Sequence, residues 1–447
     1  MITGTRRMGD CTSGSAQTVL PRRQAQQRSQ KDGHDASIAQ ACRVVEQRLE
    51  DPAGGQPSTA GEVILKGTAF DIKRAPDQFE WSFRNPQLGH WFKGFLERAR
   101  PDVVHIGSGY LLGGTVPEAA FALDLPTVLT LHDYWYMCPL ITLLRANGRI
   151  CEQMGPPARC VWCSLVQKRR YRLLDKRLYD HLGNAFVKLS QSETTARTLG
   201  ITPHLELIAA RRSYLKQVLE KIDVVISPSR FLIQKVREYG FQPRRLLYVP
   251  LGLDKTHTAH AESDRSSTTL RIGYLGQFAP HKGVHLLLAA FQRLDRHSDS
   301  CDLTLHGTIS DASPYEHQLL KIGRRDPAIT FAGPYPNSKV GQVLSDLDVI
   351  VVPSLWHEIG PTVIMEAYAT QTPVVAARLG EMASLVRHNE NGLLFEPGSA
   401  ESLTRQLQRL LDEPALLPRL RDGIPPVPSI EEEIATLISL YRSLLPP

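Results

Sequence analysis

The run Asp348-Val-Ile-Val-Val-Pro353 is short, continuously apolar and stopped by proline. A parallel strand buried on both faces reads this way. The next stretch, Ser354-Leu-Trp-His-Glu-Ile-Gly-Pro-Thr-Val-Ile-Met-Glu366, turns from loop to helix: Val363-Ile-Met, Ala367 and Tyr368 begin a helix-like run. Gly360-Pro361 fits a helix start with proline at the first position. Glu358 is then expected on the strand-to-helix loop, and Glu366 about a turn and a half into the helix. Between them the first free backbone N–H groups, from Thr362 on, face outward with the positive end of the helix dipole. That suits a diphosphate on the helix terminus with a polyol at each end, each held by a carboxylate. An ordinary βα unit with two exposed glutamates has the same local pattern, so the rest of the chain decides.

The same strand-then-loop reading recurs at Asp102-Val-Val-His-Ile-Gly107, Pro126-Thr-Val-Leu-Thr-Leu-His-Asp133, Lys221-Ile-Asp-Val-Val-Ile-Ser-Pro-Ser229, Arg271-Ile-Gly-Tyr-Leu-Gly276 and Pro373-Val-Val-Ala-Ala377. Ser227 or Ser229 can cap the helix that follows. Ligands in open α/β sheets gather beyond the carboxyl ends of strands. His132 and Asp133 stand at one such end, followed by Tyr134-Trp135-Tyr136. Gly276-Gln277-Phe-Ala-Pro-His-Lys282-Gly283 stands at another, where glycine admits close backbone approach and Lys282 offers a compact positive charge to phosphate oxygens. Thr304-Leu-His-Gly307 and Ile329-Thr-Phe-Ala-Gly333 read as further strand ends lining the same pocket.

The polar run from Asp254 to Thr269 lacks hydrophobic periodicity and reads as a linker. It separates an N-terminal domain, residues 1–253, from a C-terminal domain, residues 270–423. Ser399 to Leu411 is an amphipathic helix, and the proline-rich Ile424-Pro-Pro-Val-Pro428 opens a last segment, 424–447. A chain of 447 residues accommodates two or three domains. Its net charge of +6 is compatible with an anionic ligand or membrane surface and too small to indicate nucleic acid. No apolar run approaches the roughly 18 residues of a membrane span, and the N-terminus lacks a signal-peptide core. A cytoplasmic protein is the expectation.

Four of the seven cysteines, Cys138, Cys151, Cys160 and Cys163, fall within 26 residues. In a cytoplasmic protein such clustering favours metal over disulfides. Cys160-Val-Trp-Cys163 supplies a close pair, and four thiolates can close a tetrahedral zinc site that pins the insertion 138–163. Free buried thiols and an iron–sulfur cluster are the alternatives. Just beyond, Lys168-Arg-Arg-Tyr-Arg-Leu-Leu-Asp-Lys-Arg177 carries six basic residues and one acid on an amphipathic helical pattern. It reads either as a solvated face or as a dock for anionic lipid headgroups at the inner face of the plasma membrane.

The E-x7-E spacing of Glu358 and Glu366, the following Ala-Tyr-Ala-Thr-Gln-Thr-Pro-Val-Val-Ala-Ala and the later Asn391-Gly-Leu-Leu-Phe-Glu-Pro-Gly398 closely resemble the retaining glycosyltransferases of family 4. The resemblance runs from about residue 80 to the end. It implies an α/β fold of GT-B architecture, two Rossmann-like domains facing each other across a cleft, with the last helix crossing back to the first domain. It further implies transfer of a sugar from a nucleotide-diphosphate-sugar to a hydroxyl of a glycan or lipid-linked acceptor, with retained anomeric configuration, in cell-surface polysaccharide or glycolipid synthesis. In this scheme His132 contacts the donor sugar and Glu358 holds its hydroxyls. Lys282 and the helix start at Gly360, Pro361 and Thr362 stabilise the diphosphate. Gly276 and Gln277 border the donor, and Glu366 holds the ribose. The departing phosphate accepts the proton, and with no Asp-x-Asp motif evident, catalysis is expected to need no metal cofactor.

The chain also departs from the family pattern. Gln277 stands where arginine is frequent, and Leu251 replaces the asparagine of a Pro-Asn-Gly-Val-Asp turn. In Leu379-Gly-Glu-Met-Ala-Ser384, Glu381 replaces the second glycine of a Gly-Gly-x-x-Glu loop and Ser384 replaces its glutamate. Gly14-Ser-Ala-Gln17 and Gly33-His-Asp35 echo an acceptor-side loop and turn without the strong first strand, which lies upstream or has degenerated. These departures keep two rivals in view: a nucleotide-sugar-binding relative that does not catalyse transfer, and a GT-B nucleotide-sugar epimerase.

Overall fold

The computed structural model describes residues 43–46, 61–64, 77–110, 112–145, 147–167, 181–258, 269–297, 300–310 and 313–446. The basic stretch 168–177, the segments 14–17 and 33–35 and most of the 254–269 linker lie outside the described residues. Strands β1 (Arg43–Glu46) and β2 (Gly61–Ile64) pair with each other, antiparallel. The body of the fold is two parallel sheets. β3 (Val104–Ile106), β4 (Thr127–Thr130), β5 (Val224–Ser227) and β6 (Leu246–Tyr248) form the first in sequence order. β7 (Leu270–Leu275), β8 (Cys301–His306), β9 (Ile329–Gly333), β10 (Val349–Val352), β11 (Val374–Ala377) and β12 (Gly392–Phe395) form the second, in the order β12-β11-β10-β7-β8-β9.

The apolar runs explain the parallel pairing. Every residue of β10, β11 and β12 is buried, so each of these strands needs cover on both faces, which crossover helices provide. Helices α1 (Pro86–Ala99), α2 (Pro157–Leu165), α3 (Thr202–Lys221) and α4 (Arg230–Glu238) belong to the N-terminal half. Asn85 caps α1 by accepting from the Leu88 N–H, and Ser229 caps α4 through the Leu232 N–H. In the C-terminal half lie α5 (Val284–Phe291), α6 (Thr362–Ala369), α7 (Gly380–Leu385) and α8 (Ala400–Asp412). Among the described residues no helix is long and apolar enough to cross a membrane.

The strand order has a consequence for binding. Chain order runs outward from β7 through β8 to β9, then jumps to β10 and runs the other way. The loops leaving β7 and β10 therefore part to opposite sides of one point and open a crevice at the carboxyl edge. Gly276–Gly283 and Pro353–Pro361 are those loops.

Two chain crossings join the halves side by side. The Leu253 N–H donates to Pro428 O at 2.9 Å and the Ile430 N–H to Leu253 O at 3.2 Å. Gly252 is needed there, because a Cβ would lie 2.4 Å from the Ser429 carbonyl oxygen. The second crossing leads into α9 (Ile430–Arg442), which starts in a Ser429/Glu432 capping box. Leu437, Leu440 and Tyr441 of α9 pack on Val103, Val128, Val224, Ile226 and Val249, so the last helix lies on the N-terminal sheet.

At the foot of β10, Asp348 accepts from Arg271 Nε and Nη2, both at 3.1 Å, and from Arg421 Nη2 at 3.0 Å. It fastens β10 to β7 and to the helical segment Leu416–Asp422. Replacing one partner of such a cluster strands the others in a half-buried place. Asp348→Ala is expected to lower unfolding free energy by about 3 kcal/mol, measured by urea denaturation. An unchanged midpoint would show the cluster to be dispensable.

Candidate functional site

The β7 and β10 loops are zipped together. The Leu355 N–H donates to His281 O at 2.8 Å, and the His281 and Trp356 rings meet edge to face at 5.2 Å. Gly283 makes the approach feasible: at φ +74° it takes a left-handed turn, and a Cβ there would lie 1.9 Å from Pro353 O. The turn points Lys282 at the neighbouring loop, where its ammonium sits 2.8 Å from Glu358 Oε1 and 5.4 Å from the Trp356 ring centroid.

Glu358 is only 9 % exposed. Its Oε1 accepts from Lys282 Nζ, from Ser354 Oγ at 2.6 Å and from Trp356 Nε1 at 2.8 Å. A carboxylate held by three donors on one oxygen is oriented, and its other oxygen makes no hydrogen bond among the described residues. Just beyond it, Gly360 has open space where a Cβ would stand. Helix α6 starts at Thr362 with no side chain capping it, and Thr362 is exposed. Pro361 occupies the N-cap rather than the expected first helical position, one residue from the sequence reading. The mouth of α6 is thus open, uncapped and flanked by a cation, as an anion site requires.

Glu366 lies on α6 as its fifth residue. Burial raises its carboxyl above the ordinary 4.5. Burial first, then the negative charge of Glu366, push the Tyr335 phenol up to about 12. Tyr335 meets His306 edge to face at 5.4 Å. Three glycines at adjacent strand ends complete this side. The Gly276 N–H donates to His306 O and the Gly307 N–H to Gly333 O, and a Cβ on Gly307 would lie 2.2 Å from Gly276 O. The Gln277 carbonyl accepts from Tyr274 at 2.7 Å, which leaves the loop well seated.

His132 leaves β4 on the N-terminal side. It is exposed by area yet crowded by protein, and this desolvation lowers its pKa below 6.5, so the ring is neutral at neutral pH. Asp133 turns inward instead, accepting from Ser108 Oγ at 3.1 Å and the Trp135 N–H at 2.8 Å.

Contacts absent from the sequence reading tie the two halves. His357 and Ile359 flank Glu358, and both face the N-terminal half. Ile359 joins the apolar core built on Phe92, Leu129 and Tyr134. The His357 ring lies 4.4 Å from Phe231, and its carbonyl accepts from Tyr134 Oη at 3.4 Å. Among the described residues both ring nitrogens of His357 are buried without partners, and burial brings its pKa down to about 4. Behind it Glu381, 1 % exposed, accepts from Ser229 Oγ at 2.6 Å and from the Phe231 N–H at 2.9 Å. A carboxylate of the C-terminal half therefore sits on the N-terminus of α4, where the helix dipole favours it. The family pattern hides this, because Glu381 stands in a glycine position; an acid in the first turn of a helical run was the available signal.

The four clustered cysteines are free thiols. They line one cavity, but among the described residues no three His, Cys, Asp or Glu side chains stand as a metal shell. Their present bonds point elsewhere: Cys151 Sγ donates to Gln153 O, and Cys160 Sγ accepts from Arg212 Nη2 at 3.1 Å.

The family described as "Glycosyl transferases group 1" matches residues 256–423. The 2-deoxystreptamine glucosyltransferase of Streptomyces kanamyceticus is 32% identical over 315 residues, covering 63% of this chain and 80% of that protein. The D-inositol 3-phosphate glycosyltransferase of Rhodococcus opacus is 29% identical over 252 residues, 52% of this chain and 56% of that protein. The chain spans about half the length of that relative. Among solved structures, sucrose-phosphate synthase of Thermosynechococcus elongatus superposes with a TM-score of 0.57 at 19% identity, covering 89% of this chain and 88% of that one. Anabaena HepE in complex with UDP and glucose gives 0.54 at 16% identity, covering 80% and 82%. At these identities the structural likeness bears on the fold, which is that of the two-domain GT-B glycosyltransferases.

Glu381→Ala is expected to cost about 2 kcal/mol, the scale of a lost charge-assisted hydrogen bond that leaves buried donors unpaired. X-ray scattering should show the halves further apart. Ser384→Ala, at an exposed position in the same helix, should change stability by less than about 0.5 kcal/mol. Equal stability of the two variants would remove the interdomain role of Glu381.

Proposed function

Because the chain belongs to the group 1 glycosyl transferases, we propose that it transfers a sugar from a nucleotide-diphosphate-sugar to an acceptor hydroxyl with retention of configuration. The observation that carries this reading is the junction of the β7 and β10 loops: a lysine, an oriented carboxylate and an uncapped helix mouth converge on one crevice. Charge builds on the diphosphate as the glycosidic bond breaks. Lys282 and the N–H groups from Thr362 onward supply fixed positive potential where that charge appears. In the resting site the lysine is neutralised by Glu358. Arrival of a diphosphate gives Lys282 a second anion to contact, and Glu358 turns its open oxygen to sugar hydroxyls. Glu366 accepts from the ribose hydroxyls beside Tyr335, and neutral His132 faces the sugar from the other half.

Glu358 is a poor nucleophile in this arrangement. Three donors already draw on its Oε1, and a carboxylate so bonded holds rather than attacks. Attack from the leaving-group face, with the departing phosphate taking the acceptor proton, fits better. The cations needed at the diphosphate are protein groups, so turnover is expected to persist in a divalent chelator.

For the acceptor, a glycan or lipid-linked hydroxyl in surface-polysaccharide or glycolipid synthesis is the first reading. A small cyclitol is the second, favoured by the 2-deoxystreptamine glucosyltransferase that this chain covers to 80%. Assays of both classes with the preferred donor choose between them. Donor binding without any transfer would favour a non-catalytic relative, and isomerisation of free donor an epimerase.

The test is calorimetric titration with UDP-, GDP-, dTDP- and ADP-sugars. One nucleotide class should bind, and Glu366→Ala should weaken it about 10- to 100-fold, the scale of losing hydrogen bonds to a charged group. Well-folded protein that binds none of the donors would overturn the proposal. The pH dependence has a defined sign. Glu366 must be ionised to accept two hydroxyls, and its pKa is raised, so affinity falls on acidification before pH 4.5 is reached. Glu366→Gln should flatten that fall, measured by the same titration between neutral pH and the acid limit of folding.

A further inference from the structure

We propose that Cys138, Cys151, Cys160 and Cys163 bind a single zinc ion that fastens the insertion after β4 to α3. Their sequence spacing brings four thiols into 26 residues, and the fold brings all four to the wall of one cavity. Two are fixed by helix geometry, since Cys160 and Cys163 lie three residues apart on α2 and so share a face. Cys151 is fixed by a small hairpin, where Leu144 bridges Ile150 antiparallel and the Cys151 N–H donates to Leu143 O at 2.7 Å, and Cys138 by a turn in which its N–H donates to Tyr134 O at 2.7 Å. The cavity measures about 30 Å³, enough for a small ion.

Charge supplies the second observation. Arg211 is 1 % exposed, and its guanidinium lies over Trp135 at 5.0 Å while donating to the Trp135 carbonyl. Among the described residues its Nη1 is buried without a partner, and so is Nε of neighbouring Arg212. Among the described residues neither arginine forms an ion pair with a carboxylate; Asp133 acts on Arg211 only at longer range. Arg212 Nη2 already contacts Cys160 Sγ at 3.1 Å. Buried cations of this kind need nearby negative charge. One zinc with four thiolates carries a net charge of −2, which matches Arg211 and Arg212. Binding replaces four S–H protons by one divalent ion, and the protons leave to solvent. In their present positions the thiols do not form a metal shell among the described residues, so binding requires them to turn into the cavity that all four line.

The site has a structural consequence. Cys138 lies six residues after His132, so an ion clasping Cys138 to α2 also fixes the loop that presents His132. This proposal does not depend on the glycosyltransferase reading, and its test does not use activity. Protein purified without chelator is expected to contain about one zinc per chain, measured by plasma mass spectrometry. A mercurial reagent should release that zinc in step with thiol titration, and cobalt(II) substituted for zinc should show thiolate charge-transfer bands. Cys160→Ser and Cys163→Ser should each cut zinc content at least about tenfold, the effect of losing one of four thiolate ligands. Because either variant can fail to fold, the wild-type measurements stand on their own. Wild-type protein that holds no zinc and takes none up from micromolar Zn²⁺ would overturn the proposal, as would zinc retained by both serine variants. Iron with acid-labile sulfide in place of zinc would overturn it equally.

Discussion

Glu358 is a carboxylate with nine-tenths of its surface removed from water, in a loop whose neighbours on both sides are buried. Burying such a charge alone is prohibitive, and the rest of the site follows from how that cost is met. Lys282 supplies the opposite charge, Ser354 and Trp356 the hydrogen bonds. Lys282 can reach Glu358 only because Gly283 lets the β7 loop press on Pro353. The β7 and β10 loops meet only because strand order reverses between those two strands. One ion pair thus depends on the topology of the whole second sheet.

The same loop also couples the two halves. Glu358 is turned to Lys282, whereas His357 and Ile359 on either side of it are turned to the N-terminal half, where Ile359 enters the apolar core and His357 lies on Phe231. Glu381 adds a carboxylate on the first turn of α4. A change in the spacing of the halves would therefore be felt one residue away from Glu358. Interdomain crevices in which a loop is shared by both walls are places where closure can complete a site.

Much of this was legible from residues. Short, continuous apolar runs ending in Pro, Gly or Ser marked strands buried on both faces, and these proved parallel. The helix mouth at Gly360-Pro361 was placed to within one residue. Gly276, Lys282, Glu358 and Glu366 could be grouped because each sits at a strand end or helix start, and local pattern fixes such positions. His357 and Ile359 escaped notice, and Glu381 was noted only as a replaced glycine. Each looks ordinary within its own segment, and each acquires its role from a partner more than a hundred residues away. Glu381 was further masked by standing where a glycine would be expected, and the arginines beside the cysteines were hidden for the same reason: Arg211 lies 76 residues from the carbonyl it contacts.

The alternation of buried strands and helices, a cation and a carboxylate at loop positions, a second carboxylate early in a helix, and the clustering of four thiols can all be read along the chain. These are short-range properties, set by hydrophobic period, helix capping and spacing along the chain. Folding in three dimensions sets which loops meet, which oxygen of Glu358 is occupied, and which halves share the loop that carries it. Those outcomes depend on strand order and on side chains packed across the two halves, and neither is encoded in any one window of residues.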